Sequence, residues 1–167
     1  MGRWRPPSPK SSPYITPGGY RSLEAELEDL WKRRTEVTRA LSAAAAEGDR
    51  SENAEYIYRK KELRGIDARL KYLQQRMPRL KVVNRVGDTG RIYFGAWVSI
   101  EDESGEEHTY RIVGADEIDS GKYYISVDSP MGKSLLGKAI NDEVTVSTAA
   151  EKKRLIITAI HYESPDK

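Results

Sequence analysis

The chain has 167 residues, of which 38% are hydrophobic and 32% charged, with a net charge of +2 and no cysteine. That length suits one ordinary domain or a small domain carrying an extended element, and the polar balance favours the second. No apolar run approaches the roughly 18 residues of a membrane span, the N-terminus lacks a secretory core, and the missing thiols exclude disulfides and a cysteine nucleophile, so a cytoplasmic protein is expected.

Charge is unevenly distributed. Residues 1–80 hold 17 Lys and Arg against 11 Asp and Glu, a balance of +6, whereas residues 81–167 hold 11 against 15, a balance of −4. The first half therefore suits a polyanion or an acidic partner, although a solvated helical face produces the same excess.

Met1 to Pro13 contains four of the eight prolines with serines between them and reads as a disordered tail. Thr16-Pro17 marks a helix start, with threonine as cap and proline in the first turn. Apolar positions then run Tyr20, Leu23, Leu27, Leu30, Val37, Leu41 and Ala44, with Arg34 in the one polar slot. The pattern stops at Gly48 and resumes as Tyr56, Arg59, Leu63, Ile66, Leu70, Leu73 and Met77, again alternating steps of three and four. Two such stretches around a short turn predict an antiparallel coiled-coil hairpin over residues 14–80, with its tip at 48–56. Pairing Leu41 with Tyr56 sets Leu27 against Leu70 and Leu30 against Ile66 or Asp67. Gly65 interrupts the second helix, and Pro78 ends it.

Beyond Pro78, β-rich runs are expected at residues 89–94, 96–100, 110–113, 123–127, 143–148 and 155–162, separated by turn clusters such as Glu103-Ser104-Gly105. Ser129-Pro130 through Gly137 predicts one short helix. Residues 81–167 thus read as a small domain of mostly antiparallel sheet, and the whole chain as α+β.

No phosphate loop, nucleophile elbow or metal-spaced histidine pair is present, and His108 and His161 suit strand or surface roles. The hairpin tip stands out. Asp49 followed by Glu52 fits a reciprocal helix cap. Alternatively, two carboxylates at the end of a rod supply half of a magnesium site whose other ligands belong to another molecule. Residues 59–79 add eight basic side chains against Glu62 and Asp67 alone, which suits either a phosphate backbone or ordinary coiled-coil flanks.

The run Gly48-Asp49-Arg50-Ser51-Glu52-Asn53-Ala54-Glu55-Tyr56 resembles the tip signature of the GreA/GreB transcript-cleavage factors. Tyr93-Phe94-Gly95-Ala96-Trp97-Val98, Tyr110 to Gly114 and Ile125 to Met131 are similar to that family's C-terminal domain, and the basic face favours the GreB branch. The resemblance implies an FKBP-like domain that docks on bacterial RNA polymerase, and a hairpin that enters its secondary channel. Asp49 and Glu52 would hold a magnesium ion of the polymerase active site, while Arg50, Ser51, Asn53, Glu55 and Tyr56 support the tip. Arg59, Lys60, Lys61 and Arg64 would contact the backtracked RNA 3′ end. On this reading the chain is a monomeric activator of the polymerase's own nuclease and binds no ion alone. The residues leave open a channel regulator without cleavage stimulation, an FKBP-like prolyl isomerase and a coiled-coil adaptor.

Overall fold

The computed structural model describes residues 11–47, 53–84 and 90–162. Among these, residues 21–79 form a helical unit, and residues 11–20 with 80–162 form a sheet unit. The first turn of the long helix therefore belongs with the sheet, so the division is not the simple cut at residue 80 that the apolar periodicity suggests.

The helical unit is built from α1 (Pro17–Ala45, 29 residues) and α2 (Ala54–Arg76, 23 residues). At about 1.5 Å per residue these run roughly 44 and 35 Å. Their seam follows the alternating pattern. Val37, Ile66 and Leu70 are buried together, with Leu27, Leu30 and Leu63 packed around them. Leu73 is fully buried and Leu23 nearly so. Polar bonds flank the seam in the same register: Arg69 meets Glu26 at 2.9 Å, and Arg34, in the polar slot, donates to Asp67 at 2.7 Å. The series tolerates an arginine there because its partner is on the facing helix.

Thr16 caps α1 as expected, its hydroxyl accepting from the Gly19 N–H at 3.0 Å. That hydroxyl in turn donates to Glu117, whose carboxylate also accepts from the amides of Thr16 (3.1 Å) and Gly114 (2.8 Å). One acid thus ties the helix start to a loop of the sheet unit.

The sheet unit opens with β1 (Tyr14–Ile15), paired in parallel with β2 (Lys81–Val82). A second sheet contains β3 (Trp97–Glu101), β4 (Glu107–Val113), β5 (Tyr124–Ser126), β6 (Glu143–Ser147) and β7 (Lys152–His161), in the order β5-β4-β3-β7-β6. The pairings are antiparallel except β4 with β5. The short helix α3 (Pro130–Leu135) has Ser129 as its cap and a left-handed Gly137 beyond it, as the sequence predicts. Ile100, Ile112, Leu135 and Ile157 centre the core, and all are essentially inaccessible. The architecture is α+β, a helical hairpin with a mostly antiparallel sheet and one short helix.

Two expectations change. Residues 89–94 were read as a strand, but the described Gly90–Phe94 is not one. Ile92 is buried and exchanges bonds with the loop after α3, donating to Lys138 O and accepting from Gly137 N–H. Its hydrophobicity reflects burial rather than strand pairing. Ser12 and Pro13, which fall in the tail expected to be disordered, are instead bonded: the Ser12 hydroxyl donates to Asp128 at 2.5 Å, and the Pro13 carbonyl accepts from Lys81 N–H at 2.7 Å. Residues 1–10 lie outside the described residues.

Gly114 is required by close approach, because a Cβ there would overlap the carbonyl oxygen of Tyr14. Gly114→Ala should therefore lower stability by about 1–3 kcal/mol in denaturant titration, the usual cost of forced overpacking. Gly65→Ala has open space and should raise stability by up to about 1 kcal/mol.

Candidate functional site

The turn between α1 and α2 is closed by Asn53. Its backbone is extended (φ −83°, ψ 101°), and its side-chain oxygen accepts from the Tyr56 N–H at 3.1 Å. Its amide nitrogen donates to the Ala44 carbonyl at 2.9 Å. One side chain therefore satisfies an orphan donor at the start of α2 and a carbonyl at the end of α1. A carboxylate accepts but cannot donate, so no ionised acid can do both. Asn53 holds the cap position of α2, next to the Asp49/Glu52 pair that the sequence offered for capping. Gly48, Asp49, Arg50, Ser51 and Glu52 themselves lie outside the described residues.

The first turns of α2 are sorted by charge. Arg59 donates to Glu55 at 2.8 Å and to Glu62 at 3.0 Å. The Glu55 bond is the main cause that raises its guanidinium further above the ordinary arginine value, with burial opposing. Glu62 also meets Arg33 of the facing helix at 2.5 Å, and Arg33 reaches Glu36 at 3.1 Å. Arg59 thus belongs to an interhelical network, and its charge is matched within the hairpin. Tyr56 is half-buried, with Lys60 Nζ 5.8 Å from its ring centroid. Lys60, Lys61 and Arg64 are exposed. Of the cations expected to face RNA, these three point outward and Arg59 is engaged by acids.

Residues 13–82 match the family described as "Transcription elongation factor, N-terminal", and residues 87–162 match "Transcription elongation factor, GreA/GreB, C-term". The chain belongs to the GreA/GreB family. The transcription elongation factor GreB of Pseudomonas aeruginosa is 53% identical over 164 residues, covering 97% of this chain and 98% of that one. The GreB of Xanthomonas axonopodis pv. citri is 52% identical over 167 residues, covering 98% and 99%. Among solved structures, the GreA factor homolog 1 protein of Thermus thermophilus is 30% identical, covers 89% of this chain and 97% of its own, and superposes with a TM-score of 0.41.

Elsewhere in this GreA/GreB-family chain, the β3–β4 turn gathers Asp102, Glu106 and His108, with one ligand atom of each within 4.8 Å of the others. Asp102 organises the turn. It accepts from the Ser104 hydroxyl (2.5 Å) and from the amides of Ser104 (2.9 Å) and Glu106 (3.0 Å), while His108 Nε2 lies 3.2 Å from its second oxygen. The sequence marked Glu103-Ser104-Gly105 as the turn, and Gly105 does take φ 83°. Asp102 was not singled out, although an aspartate two residues before a turn serine is the usual signal for this local bonding. Among the described residues no helix is long and apolar enough to cross a membrane.

Replacing Asn53 by alanine removes both turn bonds and should cost about 1 kcal/mol, read as a lower melting temperature of the helical signal. Asn53→Asp keeps the acceptor, loses the donor and should fall between the two. At the β-turn, the Ser104 hydroxyl chiefly, then Glu106 N–H and His108, lower the Asp102 carboxyl from 3.8 to about 2 against the opposing effect of burial. A depressed carboxyl stabilises the fold above its unfolded value and loses that contribution as pH falls through the folded one. The stability lead of wild type over Asp102→Asn should therefore be constant at about pH 5 and shrink between about pH 4 and 2, as read by denaturation at each pH.

Proposed function

We propose that the chain is a GreB-type elongation factor that binds bacterial RNA polymerase through its secondary channel and stimulates the polymerase's own cleavage of backtracked RNA. The observation that carries this reading is the match of residues 13–82 and 87–162 to the two transcription elongation factor domains, and the two hydrogen bonds of Asn53 are compatible with it. The cap of α2 is supplied by the Asn53 amide, so starting that helix does not call on Asp49 or Glu52.

The donor chemistry agrees. Two carboxylates with no nitrogen ligand suit a hard, oxygen-preferring cation, and magnesium commonly takes one or two such groups alongside water and phosphate. A magnesium ion belonging to the polymerase supplies Lewis-acid polarisation and an activated water. Asp49 and Glu52 provide oxygen ligands toward it. Arg50, Ser51, Asn53, Glu55 and Tyr56 shape the turn that carries them, with Glu55 acting through its bond to Arg59. Lys60, Lys61 and Arg64 hold phosphates of the extruded RNA 3′ segment, and Arg59 stiffens the helix beneath them. The chain contributes ligands and charge to a hydrolysis performed by another enzyme.

A cleavage assay on a stalled, backtracked elongation complex tests this. Asp49→Asn or Glu52→Gln should slow stimulated cleavage by about a hundredfold, the size expected when a group acting on transition-state charge is removed, while competition binding to the polymerase stays near wild type. Full cleavage by both variants would sink the reading, and a wild-type chain that binds without stimulating cleavage would make it a channel regulator instead. Lys60→Glu with Lys61→Glu should weaken engagement at low salt, and the gap to wild type should narrow as ionic strength rises, because fewer counterions are released by the variant.

A further inference from the structure

We propose that the outward face of α2 beside the turn is a track for unpaired RNA, in which Tyr58 stacks on a base and Gly65 lets the strand pass against bare helix backbone. The inference rests on the transcript-cleavage role above and adds two residues to it.

Ile57, Tyr58, Lys61, Arg64, Gly65 and Ala68 share the side of α2 opposite the Leu63–Ile66–Leu70 seam, and all are exposed. A solvated helix face is ordinarily polar. Here Ile57 is 53% exposed and Tyr58 60%, and neither belongs to the packed cluster between the helices. The guanidinium of Arg59 lies 5.5 Å from the Tyr58 ring centroid, so a cation already backs the ring while most of the side chain faces solvent. Base stacking on an exposed aromatic tolerates any sequence, since every base has a π face.

Gly65 points the same way independently. Glycine weakens a helix interior, and a Cβ at this position would meet nothing within 4 Å. No packing within the hairpin calls for it. It stands two helical turns beyond Tyr58 and one beyond Lys61, where a missing side chain allows a ligand close to the backbone.

Charge complementarity selects the occupant. The acids of this stretch are engaged by arginines: Glu55 and Glu62 by Arg59, and Asp67 by Arg34. The face is left with Lys61 and Arg64, and Lys60 at its border. Spaced cations around an aromatic and a bare backbone fit a single-stranded polyanion.

The test uses the full chain and backtracked elongation complexes whose extruded RNA carries one abasic nucleotide at successive positions. Tyr58→Ala should slow stimulated cleavage of unmodified RNA about five- to tenfold, the low end of the range for one lost stack, whereas Tyr58→Trp should retain the rate. At one abasic position the wild-type chain should show the same loss, and Tyr58→Ala should lose nothing more there. Gly65→Gln should raise the melting temperature yet slow cleavage. An unchanged rate for Tyr58→Ala, or an equal loss on every RNA including the abasic series, would overturn the stacking role, the latter indicating a protein contact. An unchanged rate for Gly65→Gln would overturn the close approach. Failure of the wild-type chain to stimulate any cleavage would instead reject the underlying function.

Discussion

Among the described residues, one amide bridges the hairpin turn. Asn53 accepts from the first turn of α2 and donates to the last turn of α1, so a single side chain ties two helix ends together. The first meets a helix-start donor that would otherwise need water, and the second joins the bond that Glu47 N–H already gives the Ala44 carbonyl at 3.3 Å. The consequence is a division of labour by chemistry. Closing the turn needs a group with both a donor and an acceptor, whereas addressing a hard cation needs acceptors only. Asn53 performs the first task, and the proposed function gives the second to Asp49 and Glu52. An aspartate at position 53 would blur that separation, because it could start α2 but not hold the Ala44 carbonyl.

A similar sorting governs the cations. The ion pairs that link the two helices use arginines: Arg33 with Glu62, Arg34 with Asp67 and Arg69 with Glu26. The planar guanidinium engages carboxylates in fixed directions, which suits a role inside the hairpin. Lys60 and Lys61, compact charges on flexible stems, face outward instead. The excess of basic residues in the first half of the chain is therefore not one uniform surface. Part of it is spent on internal pairing, and the remainder lies near the turn on α2.

The alternating three- and four-residue steps carried most of the hairpin. Leu27, Leu30, Ile66 and Leu70 meet as their spacing demands, and Arg34 fills its polar slot because Asp67 faces it. The cap of α2 was legible in principle, since asparagine is a favoured cap, but the neighbouring acids offered a competing pattern of the same kind. The sheet was less legible. Alternation does not encode strand direction, so the parallel pairing of β4 with β5 could not be read, and β1 and β2 are only two residues each. Ile92 misled because burial beside a loop and burial in a strand select the same side chain. The candidate acids were legible only as a motif, because their spacing serves capping and metal ligation equally well.

The two units are stabilised differently, and that difference isolates the residues that stability does not explain. The sheet unit buries a continuous apolar core, with Glu117 fastening the first turn of α1 to it through Thr16 and Gly114. The hairpin has a narrow seam and relies on polar pairs along its flanks. In such an element every apolar side chain outside the seam is surplus to folding, and every helical glycine weakens it. Ile57, Tyr58 and Gly65 are of this kind, and they share one exposed face with Lys61 and Arg64. Replacing them with ordinary polar helix formers would keep the seam, the flanking ion pairs and the Asn53 bridge and remove only the Arg59–Tyr58 ring contact, which is why the proposed RNA track turns on these positions.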